Sequence, residues 1–148
     1  MQTRTINKHL LFTYGTLMKD MMNHKRLDGA TYLFDATTVD KFAMVANFIP
    51  YIIHPDQANK DLPLSHIHGE VYEITEPHLF QIDEFEGHPV LYKRVVTQIV
   101  SEKTLGSIPA FIYISAKKCD GTCVKDGKFK SYLQMRKNYS QYEMRKRK

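Results

Sequence analysis

Two cysteines, Cys119 and Cys123, are all that the 148 residues carry. They frame Asp120-Gly121-Thr122, with no second Cys or His pair nearby to complete a tetrahedral zinc set. A disulfide framework is therefore excluded, and free thiols in a loop are expected. No apolar run approaches the ~20 residues that a helix needs to cross a bilayer. The opening stretch, residues 1–9, is polar and lacks the hydrophobic region of a secretory signal, so a reducing, cytoplasmic setting is expected. Seven glycines and six prolines are too few for a low-complexity or fibrous chain. Also missing are the Gly-x-x-x-x-Gly-Lys of a nucleotide phosphate loop and the Gly-x-Ser-x-Gly of a hydrolase nucleophile elbow.

What is present is a chain with 43% hydrophobic and 25% charged residues, long enough to bury one self-sufficient core. The net charge is +5. Between Arg136 and Lys148 stand six basic residues and the single acid Glu143, so the whole excess lies there and the rest is balanced. The expected organisation is one domain over residues 1–135 followed by a basic C-terminal tail, 136–148. Such a tail suits RNA, DNA or an anionic membrane, but a solvated chain end is the favoured reading. A monomer with no nucleic-acid or membrane partner is expected.

Leu10-Leu11-Phe12-Thr13-Tyr14, ended by Gly15, reads as a buried strand. Thr16 is placed to cap a helical segment through Met18–Met22. Short strands are predicted at Thr31–Phe34, Phe42–Ala46 and Tyr51–His54. A longer one covers Ile67–Ile74, where Gly69 signals a bulge or a close backbone approach. Thr75-Glu76-Pro77 opens a helix that should run to Glu86 and stop at Gly87. Strands follow at Tyr92–Val100 and Ala110–Ile114, then a late helix over Lys128–Met135. Strands with interspersed helices and no regular βαβ alternation predict an α+β fold on a mostly antiparallel sheet or barrel.

The most informative local feature is Asp83-Glu84-Phe85-Glu86. At 100° per residue, Leu79, Phe80, Ile82 and Phe85 define an apolar arc that includes Glu86; Asp83 also points inward and Glu84 does not. Burial, neighbouring carboxylates and the negative end of the helix dipole all raise the pKa of such an acid. Glu86 is thus a candidate general base. The alternative is that Glu86 pairs with Lys93 or Arg94, or lies in solvent. Tyr14-Gly15-Thr16-Leu17 is a strand–glycine–helix turn whose successive N–H groups suit a carboxylate or phosphate. Tyr92 is placed to orient Glu86 or the substrate, and Arg94 on the same strand face is either functional or a structural ion pair. His66-x-His68 lacks a third ligand at useful spacing, so no metal site is expected.

Together these blocks resemble the γ-glutamyl cyclotransferase-like family. Phe12-Thr13-Tyr14-Gly15-Thr16-Leu17 looks like its opening signature, and Asn23-His24 continues it. Phe48–Ile53 and His68-Gly69-Glu70-Val71-Tyr72 also match, and Phe111-Ile112-Tyr113 resembles the closing strand. The acid–Phe–Glu–x–x–Pro–x–x–Tyr–x–Arg pattern over residues 84–94 is similar to the γ-glutamylamine cyclotransferase branch. The resemblance spans roughly residues 10–115.

It implies a small, mixed but mostly antiparallel β-barrel with short helices packed around it and no cofactor. It also implies release of 5-oxoproline and a free amine from a γ-glutamyl small molecule such as γ-glutamyl-ε-lysine. The backbone amides of Tyr14, Gly15, Thr16 and Leu17 would hold the substrate's α-carboxylate, and Glu86 would transfer the proton. A basic residue and a glycine usually follow Tyr-Gly-Thr-Leu in this branch; Met18-Lys19-Asp20 stands here instead. The alternatives are a cyclotransferase for γ-glutamyl amino acids or other γ-glutamyl amides, and a non-catalytic anion-binding module on the same fold.

Overall fold

The structure is a computed structural model that describes residues 6–57, 61–116 and 121–146, with side chains as far as residue 137. Seven strands and two α-helices follow one another as β1 (Lys8–Thr13), β2 (Thr31–Asn47), β3 (Ile49–Ile53), β4 (Ser65–Thr75), α1 (Glu76–Glu86), β5 (Tyr92–Val100), β6 (Ile108–Ser115), β7 (Thr122–Cys123) and α2 (Phe129–Lys146). The strands β2, β4, β1, β6 and β5 pair in that order, and β5 returns to β2 to close a five-stranded barrel. Only the β1–β6 pair is parallel. β3 and β7 pair with the C-terminal half of β2, beside the barrel. The α+β fold with a mixed, mostly antiparallel barrel is thus present.

Alternation of side chains along each strand divides the apolar residues into two layers. Phe12, Val71, Ile99, Ile112 and Ile114 fill the barrel interior. Leu11, Tyr72, Ile74 and Tyr113 point outward and are covered by Leu79 and Ile82 of α1 and by Leu17 and Leu27. This explains why β1 reads as a continuous apolar run: both of its faces are buried. Phe80, assigned above to the apolar arc of α1, is instead exposed. The arc is narrower because the apolar contact of the helix with the barrel runs along Leu79, Ile82 and Phe85.

Several element boundaries differ from expectation. The two strands predicted at Thr31–Phe34 and Phe42–Ala46 are the ends of one 17-residue strand. Its middle carries Asp35, Asp40 and Lys41, which mimic a loop but lie exposed along a strand whose register with β4 shifts twice. The second shift is held by buried Thr38, whose hydroxyl donates to the Asp40 carbonyl and accepts from the Ile67 N–H. Met18–Met22 is not helical. Asn23 takes both the carbonyl and the hydroxyl of Thr16, and Asp20 adopts a φ of 69°, which a helix cannot accommodate. A single 3₁₀ turn, His24–Leu27, follows.

α1 begins and ends where expected, although Thr75 at its N-cap makes no side-chain capping bond. Gly87 closes it in the left-handed conformation, with its N–H and that of His88 turned back to the last carbonyls. The late helix does not stop at Met135. α2 runs to Lys146, so the basic segment begins inside a helix rather than as a separate tail. Phe129 and Tyr132 anchor it in the barrel core, and the Arg136 guanidinium lies over the Phe48 ring at 4.1 Å. Cys119 lies outside the described residues. Cys123 stands in β7, opposite Val45, rather than in a loop. No helix among the described residues is long and apolar enough to cross a membrane.

Candidate active site

Tyr14 is the first residue beyond β1 and its side chain is buried. Its hydroxyl donates to the Tyr113 carbonyl of β6 at 2.7 Å and accepts from the backbone of Ile52 in β3. This ties the start of the loop to two strands that are remote in sequence. Gly15 follows with no room for a side chain, because a Cβ there would stand 2.6 Å from Pro50 Cγ. The carbonyls of the turn are used internally: Gly15 accepts from Met18 N–H, Thr16 from Asn23 N–H, and Leu17 faces His24 Nδ1 at 2.8 Å. By contrast, the N–H groups of Gly15, Thr16 and Leu17 donate to no acceptor among the described residues. Successive N–H groups left free in a turn are the donors that an anion-binding concavity needs.

Beyond Leu17 the departure from the family pattern has a structural counterpart. Met18 is buried in the core, and Lys19 N–H donates to Glu70 at 2.8 Å. The turn is thereby pinned to β4 from the far side. Asn23 and His24 complete the hold, a role that their local sequence does not announce.

Glu86 ends α1 half-buried, within electrostatic reach of Tyr14 and Tyr92. Burial pushes its carboxyl up to about 7, against a smaller opposing pull from Arg26. Arg26 is held with its guanidinium 3.8 Å above the Phe85 ring. Arg94 makes no pair with Glu86. It forks onto Asp83 instead, through Nε at 2.7 Å and Nη2 at 3.0 Å, and its guanidinium lies 4.3 Å from the Phe111 ring centre. Lys93 is exposed. Among the described residues Glu86 has neither an ion pair nor a hydrogen bond. The alternative of a structural ion pair for Glu86 is therefore set aside, and for Arg94 the ion pair is what the structure contains.

Tyr92, at the start of β5, is pushed up to about 12 by burial, then by Glu86 and Tyr51. Tyr14 is also raised well above its ordinary range by burial, then by Tyr92 and Glu86. Both phenols stay protonated at neutral pH, so each is a hydrogen-bond donor. The fold thus gathers Tyr14, Tyr92 and Glu86 into one electrostatic neighbourhood, with Gly15, Thr16 and Leu17 continuing from Tyr14. Sequence reasoning missed Tyr113, whose hydroxyl donates to Asp83 at 2.6 Å, and Pro50, which walls Gly15. Neither carries a local signal; both act through contacts between distant strands.

Elsewhere, a cleft of about 590 Å³ runs between β2, β4 and the start of α2, bordered by Tyr32, Asp35, Glu70 and Lys128. It meets the loop only at Met18 and includes none of the predicted site residues. His66 and His68 turn their Nδ1 atoms toward β2, to the Thr38 carbonyl and the Thr37 hydroxyl. No group of three or more potential metal ligands occurs among the described residues.

Comparison with known proteins places the chain. A candidate γ-glutamylcyclotransferase of Methanocaldococcus jannaschii is 36% identical over 123 residues, 82% of this chain and 96% of that protein. The γ-glutamylaminecyclotransferase of Rattus norvegicus is 32% identical over 72% of this chain and 77% of its own length. The crystal structure of an AIG2-like protein from Mus musculus superposes with a TM-score of 0.67 at 27% identity, covering 80% of this chain and 87% of that one. Residues 11–131 match the family model described as γ-glutamyl cyclotransferase, AIG2-like, and the chain belongs to that family of cyclotransferase enzymes.

Proposed function

We propose that this cyclotransferase acts on γ-glutamyl amines, releasing 5-oxoproline and a free amine such as lysine from γ-glutamyl-ε-lysine. The observation that carries the reading is the unpaired, half-buried Glu86 carboxyl in electrostatic reach of Tyr14, the residue that opens the free-amide turn. The amides of the Tyr14–Leu17 turn hold the substrate's α-carboxylate. That anchoring folds the γ-glutamyl chain so that its α-nitrogen meets the γ-carbonyl, and restricting rotors in this way lowers an intramolecular barrier by several kcal/mol. Glu86 takes a proton from the α-ammonium. The freed nitrogen adds to the γ-carbon, and Glu86 returns its proton to the leaving nitrogen as the bond from the γ-carbon to that nitrogen breaks. The proton shed by the new ring nitrogen then passes through the Glu86 carboxylate to the freed amine, which departs as an ammonium and leaves Glu86 ionised again. Tyr92 donates a hydrogen bond that orients Glu86 or the substrate.

A carboxyl titrating near neutrality is matched to this double role, since it both accepts and returns a proton at the working pH. The active form of free enzyme carries Glu86 ionised, so kcat/KM is expected to rise with pH and level off above an apparent pKa of about 7. The test is 5-oxoproline release from γ-glutamyl-ε-lysine, γ-glutamyl amino acids and simple γ-glutamyl alkylamides across pH 5 to 9. Preference for the ε-lysine compound supports the amine branch, and preference for α-linked amino acids moves the enzyme to the other. No turnover on any of them leaves the anion-binding module as the reading.

A further inference from the structure

Asp83 and Glu86 stand three residues apart on α1, a spacing that makes them neighbours on one helix face. One carboxylate is fully partnered and the other is bare. Asp83 receives two bonds from Arg94 and one from the Tyr113 hydroxyl, and the Arg94 backbone N–H is itself fixed to His88 Nδ1 at 2.9 Å. Arg94 also shares a strand face with Tyr92, whose phenol feels the charge of Glu86. Arg94 is thus committed to a carboxylate that stands one helical turn from Glu86.

We propose that Asp83 is a positioning residue for Glu86: it holds the Arg94 guanidinium, with Tyr113 as a third point of the clamp, and so keeps that cation from closing an ion pair with Glu86. The inference rests on the assignment of Glu86 as the proton carrier. A fork onto a planar carboxylate is the geometry in which arginine is most selective. The sandwich against Phe111 confines the guanidinium further. The groups in electrostatic reach of Glu86 from the surrounding elements are Tyr14 beyond β1, Arg26 of the 3₁₀ turn, Tyr92 of β5 and Tyr113 of β6, while His88 in the turn after α1 is held by the Arg94 N–H. Among the described residues Arg26 is the cation whose field lowers the Glu86 carboxyl, and its effect is smaller than that of burial.

The device explains why a Glu and an Asp one turn apart differ in fate. Without Asp83, an arginine beside the base would stabilise its anion and leave a weak proton acceptor. A merely structural role for the Asp83–Arg94 pair predicts a loss of stability when either partner is removed and, through the bare charges left behind, only small shifts in the titration of Glu86. The proposed role predicts a shift of the size that an ion pair gives when Asp83 is removed, and a shift of the opposite sign when Arg94 is removed.

The experiment is a pH titration of the Glu86 side-chain carboxyl by ¹³C NMR in the full-length protein, its resonance assigned through Glu86→Gln. Asp83→Asn releases Arg94 and is expected to lower the Glu86 midpoint by about one pH unit or more, the usual effect of a cation moving next to a carboxylate. Arg94→Gln leaves the Asp83 carboxylate unmatched one turn away and is expected to raise it. The double variant, with neither charge, is expected to return near the wild-type midpoint. A fall of only a few tenths of a unit in Asp83→Asn, or shifts of the same sign in the two single variants, would overturn the proposal. If Asp83→Asn fails to fold, Asp83→Ser takes its place in the same comparison. The readout does not need turnover, so an enzyme inactive on γ-glutamyl amines would sink the functional reading while leaving the clamp tested on its own terms.

Discussion

Replacing Glu86 by Gln is expected to reduce kcat for 5-oxoproline release by about 10²–10⁴-fold, the range for loss of one positioned acid–base group. KM should change little. The substitution keeps the side chain's shape, so the packing of Phe85 and the end of α1 is preserved. Burial favours the neutral form at this position, so the amide should be accommodated without loss of stability. What disappears is the capacity to take a proton from the α-ammonium and return it to the leaving amine. Steady-state kinetics of the two proteins with matched circular dichroism spectra provide the check. A variant retaining more than a tenth of wild-type kcat would remove Glu86 from the proton path. Its neighbours offer no ready substitute: Asp83 is clamped by Arg94 and Tyr113, and Glu84 is exposed.

The second large effect is expected from Gly69→Ala. An added Cβ would stand 2.2 Å from the Thr13 carbonyl oxygen and 2.8 Å from the Phe12 ring, inside both van der Waals envelopes. The first of these is backbone and cannot swing away. β1 and β4 are paired here through Phe12 with Val71 and Thr13 with Glu70, so relief requires the two strands to separate. Destabilisation of about 3 kcal/mol is expected for overpacking of this kind, corresponding to a fall in Tm on the order of 10 °C for a chain of this size. Thr13 leads directly into Tyr14, so the surviving folded protein should also show a raised KM. Thermal denaturation and kinetics on the same sample test both parts, and an unchanged Tm would show that the strands part at no cost. Gly15→Ala, which meets the Pro50 ring, is expected to have a similar but smaller effect because a proline pucker can yield where a carbonyl cannot.

Legibility varied with how local the physics was. The bounds of α1 were readable because Thr75, Pro77 and Gly87 are position-specific for helix ends, and the apolar arc through Leu79 and Ile82 required a buried face. Glu86 was readable as an acid held on that face, and Gly69 as a close approach. The segment at Met18–Met22 misled because its composition allows a helix. Its conformation is decided by Asn23, which takes the hydrogen bonds of Thr16, and by Glu70, which captures Lys19 N–H from another strand. The middle of β2 misled for a different reason: charged residues that signal a loop in a flat sheet are tolerated on the outside of a bulged, coiled strand.

The chain's own order of residues thus accounts for the strand and helix periods, the turn at Gly15, the stop at Gly87 and the placing of an acid on an apolar helix face. These follow from backbone sterics and from a pattern of burial that repeats over a few residues. Which cation that acid meets is a different matter. Arg94 is eight residues from Glu86 and eleven from Asp83, and both carboxylates are within its chemistry. Only the packing of α1 on the barrel, with Tyr113 brought in from β6 and Phe111 beneath the guanidinium, commits Arg94 to Asp83 and leaves Glu86 unpaired in electrostatic reach of Tyr14. Ion pairing depends on distance in space, and burial fixes the pKa through the surroundings of a group rather than its neighbours in the chain. Closure of the barrel therefore decides which of two similar acids is left without an ion pair.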